Sequence, residues 1–437
     1  MKHFIPNLVL SCFVLLASGC SETLEPAFKL NSVELLKQEK LFLGEGEHFD
    51  AAHKKEIGSI LTAIFGTPNE PLVPVLLDED DPVLEVMLRE NIAMAAGPVS
   101  AEYHAKGGGL YRQHCSHCHG ITGDGYGPTA PFLNPYPRDF RMAKFKYKST
   151  PLRSVPTNQD LTEVLISGVP GSSMPSFRTL PDDEIEALVD YVKFLTIRGQ
   201  YERYLMAELS NLDKGEPLID LELAQKFHKL AAIEEPNEEQ EEELEEVEEA
   251  YLDIMWGIVG EGLMEDVISR WVDADDNETE IPDAPAAFSP LEEGYRDIVA
   301  TGRKLFYEKG NCAQCHGDTG VGNGQLENFD DWTNDWIKTP GVDPFDSATY
   351  QNFISAGALP PRPIKPRNLT TSMYRGGGGP EEIYLRIANG IEGTPMPAAP
   401  ALTPDEIWAL VAYVKLLPFI GPNELPAKQI NESSIAR

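Results

Sequence analysis

Cys115-Ser116-His117-Cys118-His119 and Cys312-Ala313-Gln314-Cys315-His316 give the same five-residue pattern twice, Cys-x-x-Cys-His. That spacing is the attachment site of a c-type haem. Each thiol adds to one haem vinyl group as a thioether, and the adjacent histidine supplies an axial nitrogen to iron. Zinc or a redox disulfide is the competing use of a Cys-x-x-Cys pair. Zinc sites bring a second Cys or His pair, yet the chain has no cysteine or histidine after His316. Of six cysteines, four lie in the motifs and the others are Cys12 and Cys20, so none remains for a structural disulfide in the globular part. Two covalently bound c-type haems are the expected cofactors.

Working outward, Met174-Pro175 and Met396-Pro397 are 222 residues apart, and the same offset pairs Ile185/Ile407, Leu188/Leu410, Val189/Val411, Tyr191/Tyr413 and Val192/Val414. It also pairs Gly168/Gly390 and Gly171/Gly393. Apolar residues recurring three and four apart predict one methionine loop followed by one amphipathic helix, used twice. Acids at Asp182-Asp183-Glu184 and Asp405-Glu406 mark the helix starts. The haem motifs are offset by 197, so the second half holds 222 − 197 = 25 extra residues between histidine and methionine. That insertion includes Trp332, Trp336 and the stretch from Pro340 to Pro363.

Each half also has an apolar approach (Leu110-Tyr111, Leu305-Phe306), a glycine after the motif (Gly120, Gly317) and a last helix ending in Tyr-Val-Lys. Together these features resemble the class I c-type cytochrome family, over about half of the chain, in the manner of a dihaem bacterial cytochrome c lipoprotein. The resemblance implies His119 and His316 as proximal iron ligands and Met174 and Met396 as distal ligands. Met142 and Met373 compete for the distal role, or are packed thioethers. Pro137-Arg138-Asp139-Phe140 matches Pro366-Arg367-Asn368-Leu369. Arg138 and Arg367 are therefore candidates to neutralise a haem propionate, with a solvated surface turn as the alternative. The glycine runs Gly123 to Gly127 and Gly320 to Gly324 read as tight turns at the cofactor edge, because no Gly-Lys-Ser/Thr follows.

The expected fold is mainly α: two cytochrome c-like haem modules, an accessory helical N-terminal segment and an acidic helical linker. The expected division is a signal peptide at 1–19, a tether with accessory helices at 20–105, module 1 at 106–200, the linker at 201–290, module 2 at 291–420 and a tail at 421–437. Lys2, the apolar run from Leu8 to Leu16 and Ala17-Ser18-Gly19-Cys20 have the form of a secretory signal. Cys20 after small residues resembles a lipobox, making it the lipid-bearing residue; an ordinary cleaved signal is the alternative. The expected location is the periplasmic side of a bacterial membrane, with a lipid as the only membrane attachment.

Helical periodicity runs from Glu56 to Phe65 and from Val83 to Ala96. His48, His53 and His104 in this region read as ordinary scattered histidines. From Glu234 to Glu249 there are eleven glutamates, with Leu244, Val247 and Tyr251 at helical spacing. A solvated helix or loose linker is favoured over a docking site for a basic partner. Arg138, Arg141, Lys144, Lys146, Lys148 and Arg153 form a basic cluster, expected to shield propionates or to face an acidic redox partner. With 36 basic and 70 acidic residues, the net charge of −34 makes nucleic acid a poor partner.

A His/Met iron has no vacant site for oxygen or peroxide, and methionine raises its potential. The expected function is a membrane-tethered dihaem cytochrome c, carrying single electrons between respiratory partners as donor to, or subunit of, a terminal oxidase or other complex. The alternative is a dihaem redox enzyme such as a cytochrome c peroxidase or thiosulfate dehydrogenase. No catalytic residue is assigned, since neither motif has an evident acid/base group beside it.

Overall fold

The computed structural model describes residues 26–43, 48–74, 82–99, 109–211 and 237–420, with isolated positions between 212 and 236. The signal segment, Cys20, His104 and the residue 421–437 tail lie outside the described residues. The fold is mainly helical, and among the described residues the only β pairing is two isolated bridges. The main helices are α1 (Ser32–Phe42), α2 (Ala51–Phe65), α3 (Asn158–Ser167), α4 (Asp182–Glu208), α5 (Glu238–Val272), α6 (Tyr295–Tyr307), α7 (Ser347–Ser355), α8 (Pro380–Asn389) and α9 (Pro404–Ile420).

α4 begins with three acids that complement the positive end of the helix dipole. It does not end at Lys193, where the sequence pattern closes, but continues to Glu208. The reason is the N-terminal segment. Leu35, Phe49, Ile57, Ile60, Leu61 and Phe65 share one core with Phe194, Ile197, Tyr201 and Leu205 of the helix extension. Phe65 meets Phe194 edge-on at 5.8 Å, and Asn31 donates its backbone N–H to the buried Glu202 carboxylate at 2.7 Å. The described residues between 26 and 95 thus pack onto module 1. α1 and α2 are started by Asn31 and Asp50, whose side chains accept the backbone N–H groups of Glu34 and Ala52.

In module 2, α6 crosses α9 at Gly302. A methyl group at this position would sit 1.8 Å from the Ala409 carbonyl oxygen, so only glycine lets the two backbones approach this closely. Phe306 meets Tyr413 edge-on at 5.4 Å beside the crossing, and Trp408 donates its indole N–H to Pro282 O at 3.0 Å.

α5 opens with a reciprocal cap, Asn237 with Gln240. Its glutamates from Glu241 to Glu243 are exposed or half-exposed, whereas its far end is docked: Val267, Ile268 and Trp271 join the module 1 core, with Trp271 edge-on to Phe145. The solvated reading suits the first turns and not the last.

The stretch of module 2 that holds the extra residues folds on itself. Asp330 N–H to Arg362 O (2.7 Å) and Ile364 N–H to Asn328 O (2.8 Å) close its neck, and Trp336 stacks on Phe353 inside a small core. Its outer face lies on module 1. Trp332 donates its indole N–H to Asp124 O at 3.1 Å, and Tyr136 O–H donates to Pro360 O at 3.2 Å. The Arg362 guanidinium lies 3.7 Å over the Tyr136 ring and donates to Leu133 O. Asp335 takes an ion pair from Lys37 of α1 at 2.7 Å and from Lys144 at 3.7 Å.

Three side chains of the basic cluster of module 1 meet acids of their own chain. Lys144 pairs with Asp335 and Lys148 with Glu392 at 3.0 Å, both in module 2. Arg141 is buried under α4, paired with Asp139 at 2.9 Å. Burial pushes the Asp335 carboxyl up, but Lys37, Lys144 and Arg203 outweigh it and hold the group below its ordinary 3.8. Its contribution is complete above that value and is lost as pH falls through the lowered one. Protection of the 331–355 backbone against hydrogen exchange, taken relative to the intrinsic rate at each pH, should therefore fall on acidification below about pH 4. Asp335→Asn should show the faster exchange already at neutral pH, with a loss of about 1–3 kcal/mol; identical exchange in both proteins would contradict the assignment.

Candidate haem sites

Each Cys-x-x-Cys-His forms a single helical turn. His119 N–H donates to Cys115 O at 2.9 Å and His316 N–H to Cys312 O at 2.8 Å, which puts two sulfurs and an imidazole on one turn. The turn stops at Gly120 and Gly317, whose φ of 75° and 78° turn the chain away where a Cβ would be strained.

The glycine runs then wrap back identically. Gly125 and Gly322 donate their N–H groups to His119 O (2.9 Å) and His316 O (2.8 Å), and Gly127 and Gly324 to Cys118 O and Cys315 O (3.0 Å each). They also let the proline-arginine turns close in: a methyl on Gly125 would sit 2.8 Å from Pro137 O, and one on Gly322 would sit 2.2 Å from Pro366 O.

That close approach has a chemical use. His119 Nδ1 lies 2.9 Å from Arg138 O, and His316 Nδ1 lies 2.9 Å from Arg367 O. A carbonyl accepts only, so Nδ1 carries the proton and Nε2 is left as the bare nitrogen that ligates a metal. The sequence singled out Arg138 and Arg367 for their guanidinium groups, whereas the contact to the histidine is made by their carbonyls. Burial pushes the His119 imidazole down to about 4, opposed by its hydrogen bond to Arg138, and burial lowers His316 in the same direction. Both are neutral, as a ligand must be. Burial also pushes the Cys115 thiol up to about 12 and the Cys312 thiol up to about 11. His119 is further held by stacking on Phe140 at 4.6 Å; the matching position of the second repeat is Leu369.

The methionine loops match bond for bond. Val169 N–H donates to Met174 O and Ile391 N–H to Met396 O, both at 3.1 Å. Met174 N–H donates to Ser172 Oγ and Met396 N–H to Thr394 Oγ1, both at 3.2 Å. Gly168 and Gly390 start the loops at φ of 65° and 70°. Both methionine side chains are half-buried, and Met174 packs against the module 1 core. Of the competing methionines, Met142 lies in the short 140–142 turn beside His119's stacking partner, and Met373 is 46% exposed.

The two sites also meet. Gly171, three residues before Met174, lies against the Arg367 guanidinium and the Met373 sulfur of module 2. Arg375 donates to Gly171 O at 3.4 Å, and Arg386 donates to Lys146 O at 3.2 Å and to Lys148 O. Between those lysines, the Tyr147 ring packs on Gly376. Arg375, Arg386, Tyr147, Tyr136 and Arg362 were not singled out from the sequence, because no spacing within one repeat reports a contact between repeats.

The donor set of each module, two cysteines and a Nε2-exposing histidine on one turn with a methionine on a glycine-started loop, fits a c-type haem. The family model for cytochrome c oxidase, cbb3-type, subunit III matches residues 103–192 and 297–414. No curated protein matches the chain. Among solved structures, a chain of the reducing HAO-like protein complex of Kuenenia stuttgartiensis is similar at 22% identity, covering 76% of this chain and 96% of that one, with a TM-score of 0.42. Residues 103–192 and 297–414 therefore belong to the class I c-type cytochrome family, whose members hold covalent haem and work in electron transfer.

Proposed function

We propose that the chain is a dihaem electron carrier, with one haem on Cys115, Cys118 and His119 and the other on Cys312, Cys315 and His316. Met174 and Met396 are the distal ligands. The observation that carries this reading is the duplication of the whole cradle, down to the His Nδ1 to arginine carbonyl bond and the paired bonds of the methionine loops. Haem held this way supplies a one-electron iron couple, and a methionine ligand raises its potential.

The chain's own residues prepare both axial positions. The Arg138 and Arg367 carbonyls fix the imidazole tautomer and ring orientation. Ser172 and Thr394 hold the methionine backbones, and the glycine turns clear space on the histidine side. Methionine on the open side excludes small oxidants from the iron, which favours electron transfer over peroxidase chemistry. The insertion and its ion pairs hold the modules together, so electrons pass within one body before leaving to a redox partner. A net charge of −34 favours a partner with a basic docking face. The protein works outside the cytoplasmic membrane, tethered through Cys20, beside a respiratory complex.

The intact mass of the full chain, produced with c-type haem maturation, tests the haem count. Two haems are expected, and one after joint Cys115→Ala and Cys118→Ala replacement. A wild-type chain with one haem or none would contradict the reading.

A further inference from the structure

Arg367 occupies both sites at once. Its carbonyl accepts the His316 Nδ1–H at 2.9 Å, while its guanidinium donates through Nε to Met373 O at 2.7 Å and lies against Gly171 in the Met174 loop. A methyl on Gly171 would sit 2.8 Å from one guanidinium nitrogen and 2.7 Å from the Met373 sulfur, so the loop is seated on these two side chains without a gap. Arg375, eight residues on in module 2, reaches the Gly171 carbonyl as well.

Module 1 also meets this seam at Tyr147, whose ring packs on Gly376 and whose neighbours Lys146 and Lys148 accept Arg386 at their carbonyls. Burial lowers the Arg367 guanidinium, Arg375 adds to that lowering, and Tyr147 opposes it. Charge is thus concentrated at the seam inside a strongly acidic chain, where its field is less screened than at an open surface.

We propose that Arg367 is a positioning residue shared by the two modules, which orients the His316 imidazole through its carbonyl and seats the Met174 loop of the other module through its guanidinium. The proposal rests on the His/Met reading above. Its consequence is that a side chain of module 2 sets the reduction potential of module 1, so the two centres are tuned as a pair. Removing a cation favours the oxidised, more positive iron, and the loop loses its seat in the same substitution. Any substitution at 367 keeps the backbone carbonyl, so the effect on module 1 is read separately from the histidine bond.

The test is a spectroelectrochemical titration of the loaded full chain, with the two midpoints assigned by Met174→His and Met396→His, each of which lowers its own. In Arg367→Ala, the Met174-site midpoint should fall by about 30 mV, a roughly threefold change at 59 mV per decade for one electron. Arg367→Lys should recover only part of this, since it restores charge without the fork that spans Met373 O and Gly171. Arg375→Ala should lower the same midpoint, which keeps the test open if Arg367→Ala does not fold. Arg362→Ala, a seam arginine that contacts Tyr136 and Leu133 instead, should leave it in place. An unmoved Met174-site midpoint in Arg367→Ala, or an equal fall in Arg362→Ala, overturns the proposal. Loss of methionine ligation or of one haem in the wild-type chain would instead overturn the reading on which it rests.

Discussion

Met174→His lowers the reduction potential of the first module by on the order of 0.2 V, within the ~0.8 V range that axial ligands span. Met396→His does the same to the second. The thioether stabilises reduced iron, and an imidazole in its place stabilises the oxidised state. The backbone of each loop is independent of the substituted side chain: Val169 and Ser172 hold residue 174 through its carbonyl and N–H, and Ile391 and Thr394 hold residue 396 likewise. The loop should survive and the ligand alone should change. Met142→Leu and Met373→Leu are the matching controls, and neither should lower a potential by a comparable amount. Potentiometric titration of each variant checks the assignment, and an unmoved potential in Met174→His or Met396→His removes that residue from the ligand set.

Gly302→Val destabilises module 2 by about 3 kcal/mol or more, at the upper end of overpacking costs. The first carbon alone would lie 1.8 Å from the Ala409 carbonyl oxygen and 3.0 Å from Tyr413 Cβ, so α6 and α9 must part. Neither obstacle is the flexible end of a side chain. Parting the helices also shifts Leu305 and Phe306, which lead directly into the Cys312 turn, so haem retention at the second site should fall with stability. Gly58→Ala is the control, because a methyl there meets nothing within 4 Å. Thermal unfolding of the loaded chain separates the two: a Gly302→Val protein as stable as the wild type would contradict the crossing.

The parts of the fold that were legible in the sequence are those fixed by local chemistry. Cys-x-x-Cys-His needs one helical turn, the glycines need positive φ, and the 222-residue offset repeats an amphipathic pattern. Where burial depends on distant segments, the sequence misleads. Asp190, Lys193, Arg198 and Glu202 carry charge, yet all four are buried on α4. They pair with one another, Lys193 with Asp190 at 2.8 Å and Arg198 with Glu202 at 3.3 Å, under cover of the N-terminal segment. Buried charges are tolerated when paired in this way. The insertion was legible as an inequality between the repeats, but not as the clamp that holds them, because Trp332, Asp335 and Arg362 find partners some 200 residues or more away in the chain. The proline-arginine repeat marks the right turn, but the backbone carbonyl and not the side chain makes the contact to histidine.

The central claim is that both irons are six-coordinate with histidine and methionine. The absorption spectrum of the oxidised, fully loaded chain tests it most directly, through the weak sulfur-to-iron band toward the red edge of the visible. Two low-spin haems are predicted, with a band intensity that halves in Met174→His, halves in Met396→His and vanishes in the double variant. A stable high-spin haem in the wild-type protein, or a band that survives the double substitution, would contradict it.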